Sequence, residues 1–251
     1  MIRMNNKVVL ITGGSRGIGA AAVRMFADAG AHVAFTYASK KAAAENVAGY
    51  VTRKGRRVLA LKVDIARSAE VRKAVGVVRK HFGRVDVLVN NAGIWKRAPI
   101  ERMTERQLDE TLAINLKSAF YFCSAVVPIM KRQGYGRIIN VASTAGQRGE
   151  PFYSHYAASK GGMIALTKSL AAELGPLNIN VNAVAPGWVD TDMTANVLHK
   201  KATRAEIEKI IPRGTVGTPK EIAGVILFLA SHLADNIVGA TLNANGGGVL
   251  S

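Results

Sequence analysis

Lys7-Val8-Val9-Leu10-Ile11-Thr12-Gly13-Gly14-Ser15-Arg16-Gly17-Ile18-Gly19 decides the fold: an apolar run of strand length enters a glycine-rich turn, and a helical pattern follows. Glycines permit a tight turn and let backbone N–H groups approach a pyrophosphate, while the helix that follows points its positive dipole end at the same place. A glycine triplet alone says little. Its position after a strand and before a helix gives it weight. The spacing is G-x-x-x-G-x-G, not the G-x-G-x-x-G of most dinucleotide-binding folds.

Six further apolar runs repeat the strand pattern: His32–Tyr37, Arg57–Val63, Val85–Asn90, Gly136–Ala142, Asn180–Ala185 and Ala240–Asn245. Amphipathic stretches fill most of the gaps. Near-continuous apolar strands separated by helices predict a parallel sheet with both faces covered. Right-handed crossovers then give a doubly wound, Rossmann-type α/β fold of about seven strands. No repeat or linker is visible, and 251 residues, nearly half of them apolar, suit one domain over 1–251. The rhythm breaks at 190–217, after the sixth strand. That segment reads either as a mobile lid over the site or as a surface insertion.

The chain carries a formal charge of +17. Such a balance fits nucleic acid, a membrane surface or anionic ligands. The bases are scattered, however, with no basic tail or arginine-rich amphipathic helix, so a solvated basic surface is expected and no nucleic acid or membrane partner. No run of 18 apolar residues suggests a membrane span, and no signal peptide is recognisable. The single cysteine, Cys123, lies in an apolar helical stretch and reads as a core residue. A cytoplasmic location is expected. The five histidines are dispersed and no metal site is expected; His155 reads as a loop or substrate-edge residue.

Taken together, TGGSRGIG at 12–19, NNAG at 90–93, Asn115 in an Ile-Asn dipeptide, Ser143, Tyr156-x-x-x-Lys160, PGWVDTDM at 186–193 and NGG at 245–247 cover essentially the whole chain. In this order and spacing they resemble the short-chain dehydrogenase/reductase family, and within it the 3-oxoacyl-(acyl-carrier-protein) reductase-like members. The resemblance implies an NADP(H)- or NAD(H)-dependent oxidoreductase that interconverts a carbonyl and an alcohol. An acidic residue at the end of the second strand would bind the ribose 2′-OH of NAD and repel a 2′-phosphate. By resemblance Tyr37 stands there, followed by Ala38, Ser39 and Lys40, with no carboxylate. Lys40, Ser39 and Arg16 are then the expected 2′-phosphate partners, because a guanidinium pairs phosphate bidentately. NADP(H) is the expected cofactor.

The same resemblance puts Gly13, Ser15, Gly17, Ile18 and Gly19 at the pyrophosphate and nicotinamide, and Asp64 and Ile65 beside the adenine. Asn91, Ala92 and Gly93 line the adenosine ribose, and Pro186, Gly187, Val189 and Thr191 the nicotinamide side. Asp64 could equally be a helix cap.

Tyr156 and Lys160 are i and i+4, one turn apart on one helix face. A free phenol, with a pKa near 10, is a poor proton exchanger at neutral pH. A neighbouring ammonium and an oxidised nicotinamide would favour the phenolate. Ser143 ends the apolar strand RIINVA, where doubly wound sheets bind ligands, and can support a developing alkoxide; Thr144 is its local competitor. Asn115 sits in an apolar helix although asparagine is a poor helix former. The resemblance makes it part of a distorted helix that holds a proton-relay water. The alternative is a buried asparagine bonding between helices.

Resemblance suggests a 3-oxoacyl thioester as substrate, and an acidic carrier protein would be drawn to a basic enzyme. Docking bases are expected at two places. Lys131 and Arg132 fill the first, but 175–178 (Gly-Pro-Leu-Asn) leaves the second without one. Another ketone, a sugar or a secondary metabolite is the alternative, and a non-catalytic NADP(H) sensor is a further one. Trp95, Glu150, Phe152, Trp188 and Met193 are expected near the substrate. The family usually forms homotetramers through the helices carrying Asn115 and Tyr156 and through the C-terminal segment.

Overall fold

The computed structural model describes residues 2–250. Seven parallel strands form one sheet: β1 (Val8–Ile11), β2 (His32–Tyr37), β3 (Val58–Lys62), β4 (Val87–Asn90), β5 (Gly136–Val141), β6 (Ile179–Pro186) and β7 (Thr241–Ala244). Their order is β3-β2-β1-β4-β5-β6-β7. The chain winds one way from β1 to β3 and the other from β4 to β7, so a crevice opens above the carboxyl ends of β1 and β4. All seven expected strands are present, with ends displaced by one or two residues.

Side chains of successive strand residues sort to opposite faces, as the period of two requires. Val9 and Ile11, Val33 and Phe35, Val87 and Val89 join one core, which packs under α1 (Gly17–Asp28), α2 (Lys41–Arg53) and, later in the chain, Pro219–Ala230. Leu10, Ala34, Leu88 and Ile138 face the other core, under α3 (Ser68–Phe82) and the helices between β4 and β6. Cys123 belongs to that second core, where burial pushes its thiol up to about 12.

Between β4 and β5 the chain runs through α4 (Glu105–Leu112), a π-helical turn (Ala113–Lys117) and α5 (Ser118–Gln133). Thr104 and Gln107 close the start of α4 as a capping box. The continuous stretch Glu105–Gln133 contains an 18-residue window of mean hydropathy 1.5 and is long enough to cross a membrane by length and composition. Phe122, Val126 and Met130 are instead fully buried against the sheet, so it is a core helix.

α6 (Ala145–Arg148) and α7 (Ser154–Leu174) follow β5. After β6, residues 190–217 hold α8 (Ala195–Leu198) and α9 (Lys201–Ile210), with a small core of Leu198, Ile207, Ile211 and Val216. The segment returns to its own start: Asp190 N donates to Gly217 O, and Gly217 N to Trp188 O. Arg204 pairs with Asp190 at 2.8 Å and with Glu208 at 3.0 Å. α10 (Pro219–Ala230) then opens with a Thr218–Glu221 capping box.

Candidate active site

The strand-to-helix turn after β1 is wound too tightly for any side chain at two of its glycines. Gly13 adopts φ +69°, in the left-handed region. A Cβ on Gly19 would lie 2.1 Å from the Gly13 carbonyl oxygen. Asn91 bolts the turn to β4 by donating from Nδ2 to Thr12 O at 2.9 Å, and Thr12 Oγ1 accepts from the N–H groups of Asn91 and Ala92. The first turn of α1 has no acidic residue and no side-chain cap, so its N–H groups are free to meet an anion.

One cleft of about 670 Å³ runs from this turn across the carboxyl ends of the strands. Of the expected catalytic and cofactor-binding residues all but Asn115 line it: Gly13, Ser15, Arg16, Gly17, Ile18 and Gly19 in the turn, Tyr37, Ser39 and Lys40, Asp64 and Ile65, Asn91 to Gly93, Ser143, Tyr156, Lys160, and Pro186, Gly187, Val189 and Thr191. Trp95, Glu150, Trp188 and Met193 line the same cleft, and so does Thr144. Phe152 does not; it is 55 % exposed, with the Arg97 guanidinium over its ring. Asp64 does not cap α3, whose N-cap is Arg67; its Oδ1 accepts from Ala66 N in a local turn.

Asn115 lies behind the cleft, 1 % exposed, inside the π-helical turn. Its Oδ1 accepts from Ile94 N at 2.8 Å. Its Nδ2 donates to Ile94 O at 2.9 Å and to Ser159 Oγ at 3.2 Å. The helix is distorted, as the resemblance implies, and the side chain bonds between elements, as the alternative has it, tying the turn to the loop after β4 and to α7. Ser159 in turn donates to the Tyr156 carbonyl at 2.6 Å. The asparagine thereby holds in place the helix turn that carries Tyr156.

Lys160 is buried and its Nζ donates to the Val141 carbonyl at 2.7 Å. The Lys160 ammonium lies 5.9 Å from the centroid of the Tyr156 ring. The expectation that this ammonium lowers the phenol pKa does not describe the free cleft. There burial dominates both groups, pushing Tyr156 up to about 12, while a hydrogen bond with Ser143 pulls it part of the way back. Burial likewise brings Lys160 down to about 8.

His155 corrects another expectation. It lies in the first turn of α7, 2 % exposed with both ring nitrogens unpartnered, and burial lowers its pKa. It is a core residue, not a loop or substrate-edge one. Lys62 was missed: it lines the cleft at the end of β3, directly beside Tyr37. Strand order would have found it, because β2 and β3 end side by side.

The family model described as Enoyl-(Acyl carrier protein) reductase matches residues 13–248. The chain is 42% identical over 242 residues to a 3-oxoacyl-(acyl-carrier-protein) reductase of Staphylococcus epidermidis, covering 96% of this chain and 98% of that one. It is 42% identical over 254 residues to its Thermotoga maritima counterpart, covering 99% and 100%. Among solved structures, a levodione reductase superposes with TM-score 0.93 at 34% identity, covering 98% of each chain. A short-chain dehydrogenase/reductase (glucose/ribitol dehydrogenase) of Brucella melitensis superposes with TM-score 0.91 at 32% identity, covering 100% and 99%. With a seven-stranded parallel sheet, a glycine-rich turn at its switch point and these relatives over its full length, the chain belongs to the short-chain dehydrogenase/reductase family of oxidoreductases acting on CH–OH groups.

Proposed function

We propose that the protein is an NADP(H)-dependent carbonyl reductase in which Tyr156 is the proton donor. The observation that carries this reading is the convergence of Ser143, Tyr156 and Lys160 in the cleft that begins at the uncapped glycine turn. When bound, the reduced nicotinamide supplies the hydride. Tyr156 gives its proton to the carbonyl oxygen, and the Ser143 hydroxyl donates a hydrogen bond to the same oxygen. With the cofactor bound, Lys160 would hold the nicotinamide ribose, and a water held at Asn115 would let it return a proton to Tyr156. Residues 190–217 act as the lid over this cleft.

The residues present fit the phosphorylated cofactor. The far end of the cleft carries Arg16, Lys40 and Lys62, with Ser39 between them, and no carboxylate ends β2. Arg16 is exposed and only loosely held, by Asp192 at 3.5 Å. Removing two cationic phosphate partners, Arg16→Ala with Lys40→Ala, is expected to weaken NADPH binding about 100-fold while NADH binding changes little. Titration calorimetry with both cofactors measures it. Equal losses would contradict the assignment.

Proton bookkeeping sets the pH dependence. Reduction consumes the phenol proton and draws on the Lys160 ammonium, so it fades as pH rises through the Lys160 pKa of about 8 and then through that of Tyr156. The reverse oxidation needs phenolate and grows over the same range. With the phenol held high in the free cleft, kcat/KM for reduction is expected to stay flat through neutral pH, while alcohol oxidation climbs toward alkaline pH. A reduction rate that falls between pH 5 and 7, across the free histidine pKa of about 6.5, contradicts it.

The relatives favour a 3-oxoacyl thioester of acyl carrier protein as substrate, and a protein of the cytoplasm fits that role. The aromatic side chains that wall the cleft, Trp95 and Trp188, favour a different carbonyl. Exposed Phe120 on α5, the small residues Ala158, Ala165 and Ala172 on α7, and exposed Leu233, Val238 and Leu250 support a homotetramer, which sedimentation velocity would measure.

A further inference from the structure

Beyond Tyr156, on the lid side, the cleft is walled by aromatic rings. Trp95 stacks on Tyr153 with centroids 4.5 Å apart and planes within 8°. Trp188 meets Trp95 at 89°, centroids 5.7 Å apart, so the two indoles form a right-angled corner. Both line the cleft together with Ser143, Tyr156 and Glu150. The Glu150 carboxylate accepts from Trp95 Nε1 at 3.3 Å and is half-buried, which raises its pKa.

The corner is built at some conformational cost. Phe152, between Glu150 and Tyr153, has φ +67°, a left-handed conformation unfavourable for a phenylalanine. Its carbonyl accepts from Ala98 N at 2.9 Å, tying the loop after β5 to the loop after β4, and Arg97 covers its ring. These contacts hold Tyr153 flat against Trp95.

We propose that this corner selects a compact saturated ring bearing the reactive ketone and a neighbouring hydroxyl, in preference to a straight acyl thioester; the proposal rests on the reductase reading above. Planar walls at right angles give the C–H faces of a ring extensive contact. Glu150 has a lone pair to offer a hydroxyl. An acyl chain filling the same corner would strip water from that carboxylate and give it no donor in return, which disfavours it. In the reaction the hydride adds to the ketone carbon and the C=O π pair moves to oxygen. That oxygen takes the Tyr156 proton, the two electrons coming from the reduced dinucleotide, and the hydroxyl on Glu150 is unchanged.

The chain's only two tryptophans are Trp95 and Trp188, so intrinsic fluorescence reads this corner alone. Hydroxycyclohexanone, cyclohexanone and acetoacetyl-N-acetylcysteamine are titrated into the protein saturated with a tetrahydronicotinamide analogue of NADPH, which neither gives nor takes a hydride, so that neither ketone reduction nor oxidation of the hydroxyl follows. Hydroxycyclohexanone is expected to quench with a Kd about tenfold lower than either of the others. Glu150→Gln is expected to erase its advantage over cyclohexanone. Should that variant not fold, the comparison of the two rings on the wild-type protein stands alone. Tighter binding of the thioester, or equal binding of the two rings, overturns the proposal while leaving the reductase reading intact. Absence of NADPH binding, and of turnover with every carbonyl, overturns the reductase reading itself.

Discussion

Tyr156→Phe is expected to lower carbonyl reduction about a thousandfold while leaving NADPH affinity within about twofold of the wild type. The ring stays, so the wall of the cleft and the packing of α7 are kept. The proton for the product oxygen is lost, and so is the hydrogen bond with Ser143. No other group replaces it. Lys160 is the nearest candidate, but its ammonium is committed to the Val141 carbonyl in the free cleft and to the ribose in the proposed complex. Steady-state rates beside a cofactor titration separate the two effects. A variant that keeps a tenth or more of the activity contradicts the assignment of Tyr156 as proton donor.

The second large effect lies at the amino ends of the two central strands, away from the cleft. Asp86, just before β4, is fully buried and accepts from Val8 N at 2.9 Å and from Arg84 Nε at 2.8 Å and Nη2 at 2.5 Å. Lys7 stands 3.6 Å away, and the Asp86 backbone pairs with both Val8 and Arg137. One carboxylate thus pins β1 to β4 at the centre of the sheet. Asp86→Ala leaves the Val8 N–H buried without an acceptor. It is expected to cost about 3 kcal/mol, less than a fully enclosed ion pair because Arg84 is partly exposed. For a chain of this length that lowers Tm by about 10 °C. Denaturant melts measure it, with Asp86→Asn expected to fall between. A loss below about 1 kcal/mol would mean that Asp86 acts as an ordinary surface ion pair.

Much of this was legible from the chain because the sheet is parallel and covered on both faces. Its strands are short apolar runs, such as Val8–Ile11 and Val87–Asn90, and helices separate them. The glycine turn was legible for the same kind of reason: the close approach of Gly19 to the Gly13 carbonyl excludes every larger residue. What was not legible depended on contacts between distant segments. The ionisation of Tyr156 and Lys160 in the free cleft follows from how deeply other elements bury them, which spacing alone does not show. The burial of His155 depends on where α7 starts, and Lys62 on which strands are neighbours. The aromatic corner joins Trp95, Tyr153 and Trp188, which come from three different loops.

The central claim is that the chain moves a hydride from NADPH to a carbonyl in this cleft. NADPH carrying deuterium at the transferred position, incubated with the protein and a panel of straight and cyclic ketones, tests it most directly. The account predicts an alcohol product one mass unit heavier, labelled at the carbinol carbon, formed by the wild type and not by Tyr156→Phe. NADPH that binds and stabilises the fold while no labelled alcohol forms from any ketone would contradict it, and would make the protein a cofactor-binding sensor.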